Sequence, residues 1–352
     1  MKKHRLLVLG TGGMAGAHVL GFRSCPNIEV VAGVDRDPAR LAAFCAEHHI
    51  PKAFTSLEEA LDWGQFDAAT NVTPDSAHYA TTLPLLAAGK HVMCEKPLAP
   101  RHADAREMAE AAAEAGVVNM VNLTYRRSAE LAEAAKMVAD GAIGELRHFE
   151  ASYLQSWLTQ DTWGDWRTDP KWLWRLSQSH GSTGCLGDIG VHILDFASHA
   201  AGQPITHISC RLATFEKAEG DRIGEYVLDA NDSFTMQARM ENGALGVIHG
   251  SRFASGYHND LFLKLYGTEG AIELSFDFQR CWMRTCIGVD ALRSKTWHEV
   301  SPTPVPTNYE RFAQALDRGV GEDPDFARGA ELQKVLDSAT ASHVAGGAEL
   351  AI

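Results

Sequence analysis

Arg5–His18 reads RLLVLGTGGMAGAH, a short apolar run that ends in glycines and passes at once into residues with helical spacing. The apolar run suits a strand buried on both faces. The glycines answer a different demand. Gly10, Gly12 and Ala15 fit the pattern G-x-G-x-x-G/A, a tight turn followed by backbone bare enough for a pyrophosphate to approach a helix N-terminus. Gly13 and Met14 lie in the same turn, and Met14 is placed to press on a bound dinucleotide or to fill the core. The stretch predicts a strand, a phosphate-binding turn and a helix.

The neighbouring sequence repeats the alternation. IEVVAGVD (Ile28–Asp35) reads as a second strand, and DPARLAAFCAEHH opens a helix with Pro38 near its start. DAATNVTP and HVMCEKP read as further strands around the helical HYATTLPLLAAG. Such alternation implies an α/β unit with a doubly wound parallel sheet. Asp35 stands 23 residues beyond Gly12, close to the ~20 expected for the acid that holds a ribose 2′-hydroxyl. A carboxylate there repels a 2′-phosphate, so NAD is expected over NADP, with Arg36 offsetting part of the repulsion.

The 352 residues leave room for a second domain. From Glu145 onward ELRHFEASYLQ, HISCRLATFE and DLFLKLYG alternate apolar and polar residues, as strands with one buried face do. A formal charge of −13 argues against nucleic acid and anionic membrane as partners, since both need a basic footprint. No apolar stretch approaches the ~20 residues of a membrane span, and glycines break the run after MKKHR too early for a secretion signal. Seven cysteines without a CxxC pair supply neither a disulfide framework nor a zinc site. A reduced, cytoplasmic setting is expected.

LGDIGVHILD (Leu186–Asp195) carries the chemistry of the second half. Asp188 and His192 stand four apart, so on a helix they share one face. They could be a helix cap and a core histidine, a pair of metal ligands, or a proton-transfer couple. No third ligand stands at motif spacing, and no metal is expected.

TNVTPDSAHYATTLPLLAAGKHVMCEKPLA (Thr70–Ala99), with VLGTGGMAGAH before it and GDIGVHILD after it, resembles the glucose–fructose oxidoreductase/inositol dehydrogenase/MocA (Gfo/Idh/MocA) family. The triplet Glu95-Lys96-Pro97 is its most telling short element. NDSFTMQARMENGALGVIHGS and LYGTEGAIEL resemble the family's antiparallel sheet and its glycine-turn hairpin. The resemblance implies a Rossmann domain over residues 1–125 and an α+β domain over 126–352, with a large, mostly antiparallel open sheet. The spare face of that sheet commonly packs on another subunit, so a homodimer or homotetramer is expected. Oxidation of a secondary alcohol needs a base and a cation for the developing alkoxide. The resemblance assigns these posts to His192 and Lys96, and gives Asp188 a substrate hydroxyl. It further places Asn71, Thr73, Pro74 and His78 on the adenosine and ribose side of the cofactor and Glu95 at the nicotinamide ribose. Asn71 also reads as a turn residue and His78 as helix surface.

Ser156–Gly184 packs five of the eight tryptophans into a stretch rich in turn residues. Large aromatics either pin such a loop or present indole faces to a sugar ring. Trp166 and Arg167 resemble a pair that reaches the cofactor in some relatives; Tyr125, Gln155, Trp157 and Arg175 are candidates for the substrate side. The expected substrate is a neutral polyol, because a phosphorylated one would call for clustered Arg and Lys. Within the family the region most resembles sugar dehydrogenases of the levoglucosan-dehydrogenase type, with inositol dehydrogenase as rival. An NAD-dependent glycosidase without net NADH release and a non-catalytic NAD-binding regulator are the other classes; Lys96 and His192 speak against the regulator.

Overall fold

A computed structural model describes residues 3–161, 163–277 and 279–352. The chain divides into two compact units. One holds residues up to Thr124 together with Pro306–Gln333; the other holds Tyr125–Val305 and Lys334–Ile352. A second domain running unbroken over 126–352 is therefore corrected: the chain returns to the first unit for one late segment.

The first unit is a six-stranded parallel sheet of β1 (His4–Leu9), β2 (Ile28–Val34), β3 (Lys52–Phe54), β4 (Ala68–Asn71), β5 (His91–Cys94) and β6 (Asn119–Val121), in the order β3-β2-β1-β4-β5-β6. The crossovers carry α1 (Ala15–Arg23), α2 (Pro38–Glu47), α3 (Leu57–Trp63), α4 (His78–Ala87) and α5 (His102–Ala115). Local chemistry starts these helices where they start: Asp37 accepts from the N–H groups of Ala39 and Arg40 with Pro38 at the first position, and Ser56 accepts from Glu59 N–H. The strand order reverses between β1 and β4, and ligands of such sheets bind beyond the carboxyl ends of the strands at that point. In the late segment the helix Asn308–Arg318 starts at a capping box between Thr307 and Glu310 and puts Phe312, 0% exposed, into the core beside Phe22.

The second unit begins with α6 (Ala129–Ala139) and is built on a nine-stranded sheet. Its strands are β7 (Leu146–Gln155), β8 (Ile205–Ala213), β11 (Ser233–Met240), β12 (Leu245–Ser251), β13 (Asn259–Gly267), β14 (Gly270–Phe276), β15 (Trp282–Ile287), β16 (His298–Val300) and β17 (Leu350–Ala351); β9 (Arg222–Ile223) and β10 (Tyr226–Val227) form a separate ribbon. The order is β16-β15-β14-β13-β7-β12-β11-β8-β17, antiparallel throughout except for the pair β7–β12. Phe234, Met236, Ala238 and Met240 are buried between exposed Thr235, Gln237 and Arg239, which is the period-two pattern of a half-buried strand. After the short α7 (Pro170–Leu173), α8 (Val191–Ala201) covers the inner face, packed on β7, β12 and β13. The outer face leaves Leu245 and Val247 exposed.

Candidate active site

In the first unit the turn after β1 is shaped by its glycines. Gly10 has φ +88°, and a Cβ there would lie 2.8 Å from the Val72 carbonyl oxygen, so only glycine serves. A Cβ at Gly12 or Gly13 would meet nothing within 4 Å. That bare backbone leads into α1, whose start has no side-chain cap, and Met14 beside it is exposed. Uncapped N–H groups above open space are what a pyrophosphate requires, so the residues present fit a dinucleotide.

Asp35 ends β2 in a dense set of donors. It accepts from Thr11 N–H (2.9 Å), Thr11 Oγ1 (2.7 Å), Asp37 N–H (3.0 Å), and Arg40 Nε (3.1 Å) and Nη2 (2.6 Å). Burial works against the charge, but the bonds from Arg40, Asp37 and Thr11 outweigh it and hold the carboxyl well below the usual range. The ion pair with Asp35 is made by Arg40, in the first turn of α2, and Arg36 is exposed.

Beyond β4 two expectations need correction. Asn71 is 0% exposed, gives both amide hydrogens to Thr81 and Thr82, and accepts twice from Thr73. Its polar capacity is used up in latching the Thr73–Pro74 turn, so it has nothing left for a ligand. His78 is likewise 0% exposed, with Nδ1 2.9 Å from the Pro97 carbonyl and Nε2 2.9 Å from the Thr73 carbonyl. Two acceptors require both nitrogens to carry protons. Burial opposes that charge, yet Cys94, Asp75 and the Pro97 carbonyl outweigh burial and raise the imidazole. His78 staples the turn after β4 to the turn after β5 and presents no surface to a cofactor; Thr73 and Pro74 remain accessible.

Glu95 also turns inward. Its Oε1 accepts from His18 Nε2 (2.8 Å) and Asn122 Nδ2 (2.7 Å), its Oε2 from the Lys96 N–H (3.2 Å), and His18 Nδ1 meets Thr70 Oγ1 at 2.7 Å. The half-buried Lys96 is thus mounted on a buried histidine–carboxylate pair that ties α1 to the end of β5. Burial alone would raise the Glu95 carboxyl, but His18, Lys96 and Asn122 together lower it from 4.5 to about 2. A depressed carboxyl contributes stability above its unfolded value and loses it as pH falls towards its folded one. Acid titration of the far-ultraviolet circular dichroism is expected to show this loss between about pH 4.5 and about pH 2, and Glu95→Gln should remove that part of the slope.

In the second unit Asp188 lies in a single π-turn, Leu186–Gly190, that runs straight into α8 and His192. Such turns recur at functional sites. Asp188 caps nothing: no side-chain cap is present at either helix start. Its Oδ2 instead accepts from Arg175 Nη1 (3.2 Å) and Arg252 Nη2 (3.0 Å), and Arg252 is 0% exposed. Two guanidinium groups face the carboxylate and repel a metal ion from it. His192 is 7% exposed, its ring met edge-on by Tyr125 at 4.7 Å.

Tyr125, Gln155 and Trp157 frame this helix from within. Tyr125 O–H meets the Tyr153 hydroxyl, Tyr153 donates to Asn259 Oδ1 (2.8 Å), and Asn259 Nδ2 donates to Tyr125 (2.9 Å). Gln155 donates to the same Asn259 oxygen (2.7 Å) and accepts from Trp157 Nε1 (3.1 Å). Burial pushes the Tyr125 phenol up to about 12 and raises Tyr153 well above its ordinary value, so both stay protonated beside His192. The three expected substrate contacts are corrected to a buried support; Arg175 keeps a partly exposed guanidinium over the Trp174 ring (4.8 Å). Trp166 is buried with Trp157, Leu158, Leu173, Leu176 and Leu228, so its indole has no face for a cofactor, whereas Arg167 remains exposed over it. Trp172 stacks on Trp163 and meets Trp157 at a tilt, which pins the loop.

The description "Oxidoreductase family, NAD-binding Rossmann fold" matches residues 4–123, and "GFO/IDH/MocA C-terminal domain" matches residues 131–273. The chain belongs to the Gfo/Idh/MocA oxidoreductases. As such it is an oxidoreductase whose first unit is an NAD-binding Rossmann domain. It is 27% identical over 296 residues to levoglucosan dehydrogenase of Pseudarthrobacter phenanthrenivorans, covering 77% of this chain and 73% of that enzyme. It is 31% identical over 279 residues to 1,5-anhydro-D-fructose reductase of Ensifer adhaerens, covering 75% and 74%. A solved levoglucosan dehydrogenase in complex with NADH and L-sorbose shares the fold, with a TM-score of 0.88 at 24% identity over 100% of this chain and 99% of that one.

Proposed function

We propose that this Gfo/Idh/MocA oxidoreductase oxidises a secondary ring hydroxyl of a neutral sugar or anhydrosugar to the ketone. Bound NAD supplies the hydride acceptor. His192 takes the hydroxyl proton; Lys96 stabilises the oxygen as negative charge develops on it; Asp188, held in place by Arg175 and Arg252, accepts a hydrogen bond from a neighbouring hydroxyl. The observation that carries the proposal is the Asp188–His192 turn, with its carboxylate fixed by two guanidinium groups and its imidazole framed by two phenols that stay protonated. The half-exposed Trp174, with Arg175 stacked on it, suits an apolar sugar face. The relatives named for levoglucosan and 1,5-anhydro-D-fructose support an anhydrosugar as the first compound to try.

The test is a panel of pyranoses, anhydrosugars and inositols incubated with NAD⁺ and followed by NADH absorbance. Turnover of an anhydrosugar or pyranose is expected. NADH from inositols alone would replace the substrate class, and glycoside cleavage without net NADH would replace the reaction. The exposed sheet face around Leu245 and Val247 supports a second copy of the chain as its cover; a monomer in sedimentation equilibrium would remove that part.

A further inference from the structure

The end of β2 holds more donors than one carboxylate can use. Five hydrogen bonds reach Asp35, against roughly four lone-pair positions on an ionised carboxylate. A ribose 2′-hydroxyl can therefore bond to Asp35 only where Arg40 gives up a position. Three of the five donors belong to the turn backbone and Thr11 and are fixed by the fold. The two from Arg40 are not fixed in that way: its side chain is 52% exposed and flexible, and it starts from the first turn of α2.

Charge points the same way. A lone Asp35 would repel a 2′-phosphate, but here Arg40 pairs with it at 2.6 Å and reaches Asp37 at 3.7 Å as well, and exposed Arg36 adds a second positive charge to the same stretch. Among the described residues Arg36 makes no ion pair, so its guanidinium is available to an incoming anion. Guanidinium groups bind phosphate oxygens through paired N–H donors, and a phosphate would draw Arg40 away from the carboxylate into the same kind of bond.

We propose that Arg40 is the residue that decides between NAD and its 2′-phosphorylated form, and that this chain binds both. Against NAD, Arg40 shares Asp35 with the ribose hydroxyl. Against NADP it turns from Asp35 to the 2′-phosphate, with Arg36 as the second donor. The inference goes beyond the sugar-oxidising reading and needs only the dinucleotide cradle of the first unit.

Calorimetric titration of the full chain with NADH, NADPH, AMP and adenosine 2′,5′-bisphosphate tests it without turnover. The wild-type Kd values for NADH and NADPH are expected to lie within about 10-fold of each other, and Arg40→Ala to raise the NADPH-to-NADH ratio at least about 10-fold, with Arg40→Lys in between. The bisphosphate should lose affinity in Arg40→Ala while AMP does not. A wild-type ratio above about 10-fold, or a ratio that Arg40→Ala moves by less than that, overturns the assignment. Failure to bind either dinucleotide overturns it together with the cradle. Absence of turnover with intact binding counts against the sugar-oxidising reading alone.

Discussion

Replacing Lys96 or His192 by alanine is expected to lower kcat at least ~10²-fold while NADH still binds. An alcohol gives up its proton reluctantly, and in the proposed mechanism each residue lessens that difficulty: the imidazole as acceptor, the ammonium as stabiliser of the oxygen left behind. Neither substitution touches the glycine turn, so dinucleotide affinity reports separately on the first unit. Because the two residues are proposed to serve one hydroxyl, Lys96→Ala/His192→Ala should lose little more than the worse single variant. Asp188→Asn keeps the shape but weakens the pull on Arg175 and Arg252, and should raise KM more than it lowers kcat. Near-normal turnover in both alanine variants would reassign the chemistry to other residues.

The second large effect is on stability. Arg126 donates twice to Asp195 (2.6 and 2.8 Å), with side chains only 2% and 4% exposed. Asp195→Ala takes both of these bonds from a buried guanidinium; breaking such a pair typically costs 3–5 kcal/mol, roughly that scale being expected here. Chemical denaturation followed by tryptophan fluorescence should show it, since Trp157, Trp163, Trp166 and Trp172 pack in the same unit. Arg126→Met with Asp195→Leu, which removes both charges, should recover much of the loss. Equal stability of the single and double variants would mean that the pair is not desolvated as its burial implies. Asp195 sits one turn beyond His192 on α8, so the single variant should also lose activity.

Much of the fold could be read from the chain because its signals are local. Buried parallel strands are continuous apolar runs, the glycine turn has one steric explanation, and antiparallel strands alternate visibly. The return of residues 306–333 to the first unit has no such signal, since nothing in composition separates Asn308–Arg318 from a helix of the second unit. Motif and mechanism coincide at Gly10–Gly13, Asp35, Lys96, Asp188 and His192, and the proposed site is built on these residues. His18, Arg40 and Arg252 escaped notice. A histidine on a glycine-rich helix reads as core, an arginine in a first turn as a solvated charge, and an arginine closing a strand as surface. Arg252 is instead fully buried under the Trp157 ring, 5.1 Å from its centroid. Asn71 and His78 were misread in the opposite direction: polar residues beside a ligand-binding turn look like contacts even when their hydrogen bonds all point inward.

The late excursion of the chain limits how the protein can be cut. Phe312 and Phe326 are both 0% exposed, and Asn308 donates to Asn122, which in turn holds Glu95. A fragment stopping at residue 125 would keep every strand of the parallel sheet yet open its hydrophobic interior to water and leave Asn122 short of a partner. Dissection of the dinucleotide-binding half for separate expression therefore calls for splicing 306–333 back on through a short connector.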